Sequence, residues 1–79
     1  MPTQGMTPIA IEKEKVAAEL KELQAQIVPE LDIPTAMMQL GKGQRTITDY
    51  INGTVRHLAT GRRLAEILKQ CVALREQAA

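Results

Sequence analysis

LDIPTAMMQLGKGQRTITDYING, residues 31–53, is the stretch that decides the fold. It reads as two short helices joined by a turn over Gly41, Lys42 and Gly43. Asp32 is placed to cap the first helix, because its carboxylate can accept backbone N–H groups that a helix leaves free at its start. Pro34 falls in that first turn, where a missing N–H does little harm. Ala36, Met37 and Leu40 supply the inward face, and the small Ala36 lets a second helix approach closely. Gly41 ends the helix, since the left-handed backbone usual at that point carries no steric penalty for glycine. The second helix, Gln44 to Asn52, turns Ile47, Tyr50 and Ile51 inward at spacings of three and four. Thr46, Ile47 and Thr48 are β-branched and suit a strand, but the run lacks alternation and no other segment offers a partner. Gln44, Arg45, Thr48 and Asp49 cover the face that packing leaves free.

Working outward, Val16, Leu20, Leu23 and Ile27 recur as one apolar stripe on an amphipathic helix that starts at Thr7-Pro8 and is stopped by Pro29. Lys15 and Glu19 form a four-apart pair on its charged face. Residues 1–7 have no periodicity and read as a flexible arm. Downstream, a loop from Thr54 to Ala59 leads to Thr60, the N-cap of a last helix whose stripe is Leu64, Ile67, Leu68, Cys71 and Leu74. The expectation is an all-α domain over residues 8–79, a small bundle of four or five helices with a helix-turn-helix. Ala36, Leu40, Ile47 and Ile51 share its core with Leu64 and Leu68.

Composition limits the alternatives. At 79 residues the chain has room for one domain, and a core this small is helped by a partner chain. Tyr50 is its single aromatic residue, so Leu, Ile, Val, Ala and Met must fill the interior. Cys71 is the single cysteine, which rules out an internal disulfide and a cysteine-rich zinc site and suits a reducing cytoplasm. No run approaches a membrane span, and MPTQGMTP lacks the layout of a signal peptide. The carboxylates lie mostly beside lysines on a solvent face. There is no Ser-His-Asp ordering and no phosphate-cradling glycine loop, so no enzyme, small-molecule substrate or cofactor is expected. His57 has no second His or Cys nearby, so no metal role is expected either.

Net charge is +1, but it is unevenly placed. Residues 1–32 set Lys13, Lys15 and Lys21 against Glu12, Glu14, Glu19, Glu22, Glu30 and Asp32, a net −3. Residues 41–63 set Lys42, Arg45, Arg56, Arg62 and Arg63 against Asp49, a net +4. One basic segment on a nearly neutral chain fits a local phosphate-binding face. Arg62 and Arg63 near the start of the last helix oppose its dipole, which calls for either a DNA phosphate or a paired Glu.

LGKGQRTITDYING, residues 40–53, resembles the helix-turn-helix of the lambda-repressor and Cro family. That family has LG, a two-residue turn, Gln at the head of the recognition helix, a β-branched core residue and a terminal Asn-Gly. LDIPTAMMQ upstream keeps the family spacing, and GRRLAEILKQ resembles the core helix that follows; the likeness spans roughly residues 31–70. Two departures stand out: the family usually carries Gln where this chain has Ile33, and often Ala where it has Met37.

The resemblance implies a sequence-specific regulator of double-stranded DNA, of phage or mobile-element type. Gln44 and Arg45 would enter the major groove, with Thr48 and Asp49 one turn on. Gln pairs with adenine, Arg with guanine, Thr with a thymine methyl, and an acid with cytosine. Lys42, the Gly43 backbone and Asn52 would lie near phosphates, Thr46 belongs to the same DNA-binding set, and Arg56 and His57 would hold the backbone or the next base. Asp49 has a second option, an intrahelical pair with Arg45.

A homodimer on a two-fold operator is expected, because one small module buries little DNA surface. Ile9, Ile11, Val72 and Leu74 are surplus apolar positions for its contact. The competing reading is a helical protein-interaction module (inhibitor, adaptor or antitoxin) that uses the same scaffold without reading DNA. It is favoured by the weak net charge, the acidic first helix and Ile33.

Overall fold

The structure, a computed structural model, describes residues 8–78; the arm at 1–7 and the Thr7 cap lie outside them. Four helices follow one another: α1 (Pro8–Gln24), α2 (Pro29–Leu40), α3 (Gln44–Ile51) and α4 (Leu58–Ala78). The described residues hold no strand, and the β-branched run at 46–48 is helical. Ile47, Tyr50 and Ile51 all become buried, so tertiary packing overrides their local preference.

α4 packs along α1 and α2, and α3 packs against both of those helices. Glu12 pairs with Arg62 at 3.0 Å, and Glu19 pairs with Lys69. Both steps are seven residues, so α1 and α4 run parallel and in register. These exposed pairs set register more than stability, since such pairs contribute about 0–1 kcal/mol each. They also correct two expectations. Glu19 reaches across to α4, leaving Lys15 near Glu12 at 4.0 Å. Arg62 has the paired Glu that was one of its two options, and because α4 begins at Leu58 both arginines lie beyond its first turn.

The boundaries move for identifiable reasons. α1 ends at Gln24, where the Gln26 and Ile27 N–H groups both turn back to the Leu23 carbonyl at 2.8 and 2.9 Å. Ile27 remains buried after the helix has stopped, so its place in the stripe gave no sign of the end. Pro29 therefore opens α2 instead of closing α1, with Val28 extended before it, as the residue preceding a proline prefers. Asp32 is not the N-cap. It lies inside α2 and reaches back, its Oδ2 accepting the Val28 N–H at 2.9 Å. Pro34 likewise lies in the helix interior rather than its first turn. It leaves the carbonyl of Glu30 without its usual partner, on a side where both residues are exposed. α4 starts before Thr60, with the Gly61 N–H bonding to the His57 carbonyl at 3.0 Å.

The core joins Val16, Leu20 and Leu23 of α1 to Ala36, Ile47, Tyr50 and Ile51, and to Leu64, Ala65, Ile67, Leu68 and Val72 of α4. Leu40 is half-buried at its margin. Gly61 is required by this packing: a Cβ there would meet Val55 Cγ1 at 2.9 Å and Val16 Cγ1 at 3.0 Å. Leu74 is 65% exposed and does not belong to the stripe, whereas Val72 is a core residue and not surplus. Cys71 is half-buried, and burial pushes its thiol pKa up, with the nearby Asp32 carboxylate adding to the rise.

Candidate nucleic-acid interface

At 100° per residue, the buried Ile47, Tyr50 and Ile51 leave Arg45, Thr48, Asp49 and Asn52 on the opposite face of α3. Arg45 and Asn52 are exposed; Thr48 and Asp49 are half-covered, and Thr46 lies half-buried on the flank. The turn before this helix is open. Gly41 is left-handed at φ +67°, and its N–H closes α2 on the Met37 carbonyl at 2.8 Å. Gly43 is different: its φ of −77° suits any residue, and a Cβ there would meet nothing within 4 Å. Nothing among the described residues requires glycine at that position.

Gly43 is the N-cap of α3, and no side chain caps the helix. Its first N–H groups therefore point outward with the positive end of the helix dipole. Lys42, Gln44 and Arg45 stand around them, all exposed. Neither Lys42 nor Arg45 makes an ion pair among the described residues. Gln44 shares an open groove of about 300 Å³ with Pro29, Glu30, Ile33, Pro34 and Met37. Ile33 thus lines the same groove as Gln44, and its side chain offers no hydrogen bond there.

Other expected residues are engaged within the chain. Asp49 pairs with Arg56 at 3.3 Å and not with Arg45. Asn52 Oδ1 accepts the Gln24 side-chain amide at 2.9 Å. The His57 backbone N–H donates to the Tyr50 hydroxyl at 2.9 Å, while the residue itself is exposed. Lys42, Gln44, Arg45 and Asn52 are exposed along the turn and α3, and Arg56 joins them through its pair with Asp49. α1 also contributes, which the sequence did not indicate: the Lys21 stem lies 3.3 Å from where a Gly53 Cβ would stand. The acidic helix thereby lends a cation to the C-terminal end of α3. Only tertiary packing creates that proximity.

A further charged pair joins α2 to α4. Asp32 is 3% exposed and takes both guanidinium arms of Arg75, one at 3.0 Å. The Arg75 hydrogen bond holds its carboxyl below the usual range, against the opposing effect of burial and with help from the Val28 N–H. A carboxyl whose pKa is lower folded than unfolded contributes stability above about pH 4, the unfolded value, and loses it as pH falls toward the folded one. Asp32→Asn should therefore be less stable than the parent at neutral pH, and its melting temperature should fall less steeply below about pH 4. Thermal melts across acid pH check this; parallel curves would remove Asp32 from the acid response.

Among the described residues no group of His, Cys, Asp and Glu side chains could hold a metal ion, and no helix is long and apolar enough to cross a membrane. No protein-family model, curated protein or solved structure matches the chain.

Proposed function

We propose that the chain binds double-stranded DNA, with α2 and α3 acting as a helix-turn-helix and α3 entering the major groove. The observation that carries the reading is the N-terminal end of α3, where amides without a side-chain cap meet Lys42 and Arg45, both exposed and neither in an ion pair among the described residues. A helix N-terminus with free N–H groups suits a phosphate, and basic side chains beside it add counterion-releasing contacts. Gly43 fits the same account: absence of a side chain there matters only to something that approaches from outside. Beyond the first turn, Arg45 and Thr48 have the chemistry to touch base edges, while Lys42, Asn52 and Arg56 serve the backbone.

A homodimer on a two-fold site completes the reading, since each chain carries one α3. Selection from a random-sequence duplex library should enrich an inverted repeat whose half-sites lie about 34 Å apart, one helical turn. Enrichment of a single half-site would contradict the dimer, and no enrichment at all would contradict sequence reading.

The interaction-module reading draws support from a different surface. Leu31 and Met38 of α2 and Leu74 of α4 are 61%, 83% and 65% exposed, and none of the three belongs to α3. Salt separates the two readings: duplex binding weakens steeply as salt rises, whereas an apolar protein contact does not.

A further inference from the structure

The loop that follows α3 is held to it at four points. The Gly53 N–H donates to the Tyr50 carbonyl at 3.0 Å, and the Thr54 N–H to the Asp49 carbonyl at 2.9 Å. The His57 N–H donates to the Tyr50 hydroxyl at 2.9 Å, and Tyr50 itself is buried. These ties fix where Arg56 leaves the chain. The fourth is made by side chains, Arg56 Nη2 to Asp49 Oδ2 at 3.3 Å.

The choice of partner is informative. Arg45 lies four residues before Asp49 on the same face of α3, yet the carboxylate pairs with the loop arginine. The Asp49 side chain is 32% exposed and that of Arg56 59%, so the guanidinium is the outer member of the pair. A guanidinium has five N–H donors, and one bond to Asp49 leaves the others for an acceptor from outside.

We infer that Asp49 is a positioning residue: it holds the Arg56 guanidinium beside the outward face of α3, where the remaining N–H groups bind a DNA phosphate. This rests on the reading of α3 as a DNA-binding helix. It gives Asp49 no base to read, in contrast to the cytosine contact that the family resemblance allows. Two effects of opposite sign meet at Asp49. Ordering a long side chain before binding lowers the entropy lost on binding. A carboxylate near phosphates repels them. A double-mutant cycle separates the two.

The test measures affinity for random-sequence duplex DNA by fluorescence anisotropy over a salt series. The proteins are the parent, Asp49→Ala, Arg56→Ala and the double variant, with thermal melts confirming that each folds. Asp49→Ala should weaken binding by about threefold to tenfold, the effect of one side chain left unordered, although it removes a negative charge. Its salt slope should match the parent's, because the phosphate contact is still made. Arg56→Ala should reduce the slope by about one, and in its background Asp49→Ala should weaken binding no further. Tighter binding by Asp49→Ala in both backgrounds would overturn the positioning role while leaving duplex binding intact. A parent protein that binds no duplex would overturn the DNA reading, and this inference with it.

Discussion

Arg45→Ala should weaken binding to the selected duplex by about 1–3 kcal/mol and binding to random-sequence duplex far less. Arg45 stands opposite the buried face of α3, in its first turn, where a helix docked by its N-terminal end reaches farthest toward the base edges. It makes no ion pair among the described residues, so no internal bond must break before it contacts a base. A guanidinium matches the two acceptors of guanine in a fork that an ammonium does not reproduce, so Arg45→Lys should recover little of the discrimination. Competition assays with the selected and scrambled duplexes measure the difference. An equal loss on every sequence would make Arg45 a phosphate contact and move the reading of bases elsewhere on α3.

Leu64→Ala should cost about 2–5 kcal/mol of folding stability, the usual range for truncating a large aliphatic side chain in a packed core. Leu64 is fully buried in α4, the helix that packs along both α1 and α2. A chain of this length has roughly 4–12 kcal/mol of stability in total, so the variant should sit close to unfolding. The urea midpoint should fall sharply while the slope of the transition is kept. Leu74→Ala, ten residues further along the same helix, should change stability by no more than about 0.5 kcal/mol. Similar losses from the two variants would contradict the packing described for α4.

That pair of leucines marks how far the sequence could be read. The pattern of α4 is sound from Leu64 to Cys71 and fails at Leu74, because the stripe drifts around the helix and is continued by Val72 and Arg75. Asp32 was legible as a residue that satisfies the start of α2, but not as a buried partner of Arg75, forty-three residues away. The helix boundaries at Pro29 and Leu58 were misplaced for a related reason. Local capping rules favoured Asp32 and Thr60, whereas Asp32 reaches back from inside α2 to the Val28 N–H, and the Tyr50 hydroxyl of α3 accepts the His57 N–H just before α4. At the candidate site, the turn at Gly41 to Gly43 and the helix from Gln44 fall where the spacing predicts, because a turn and a short helix are local matters. The pairing of Asp49 with Arg56 and the approach of Lys21 and Gln24 to α3 arise only when distant segments pack.

The central claim, that the N-terminal end of α3 is the DNA-binding surface, is tested most directly by a two-dimensional amide NMR titration with duplex DNA. The account predicts that the amides of Gly43, Gln44, Arg45 and Thr46 shift most and return toward their free positions as salt is raised, because counterion release drives the contact. No shifts with duplex, or shifts confined to the neighbourhood of Leu31, Met38 and Leu74, would contradict it.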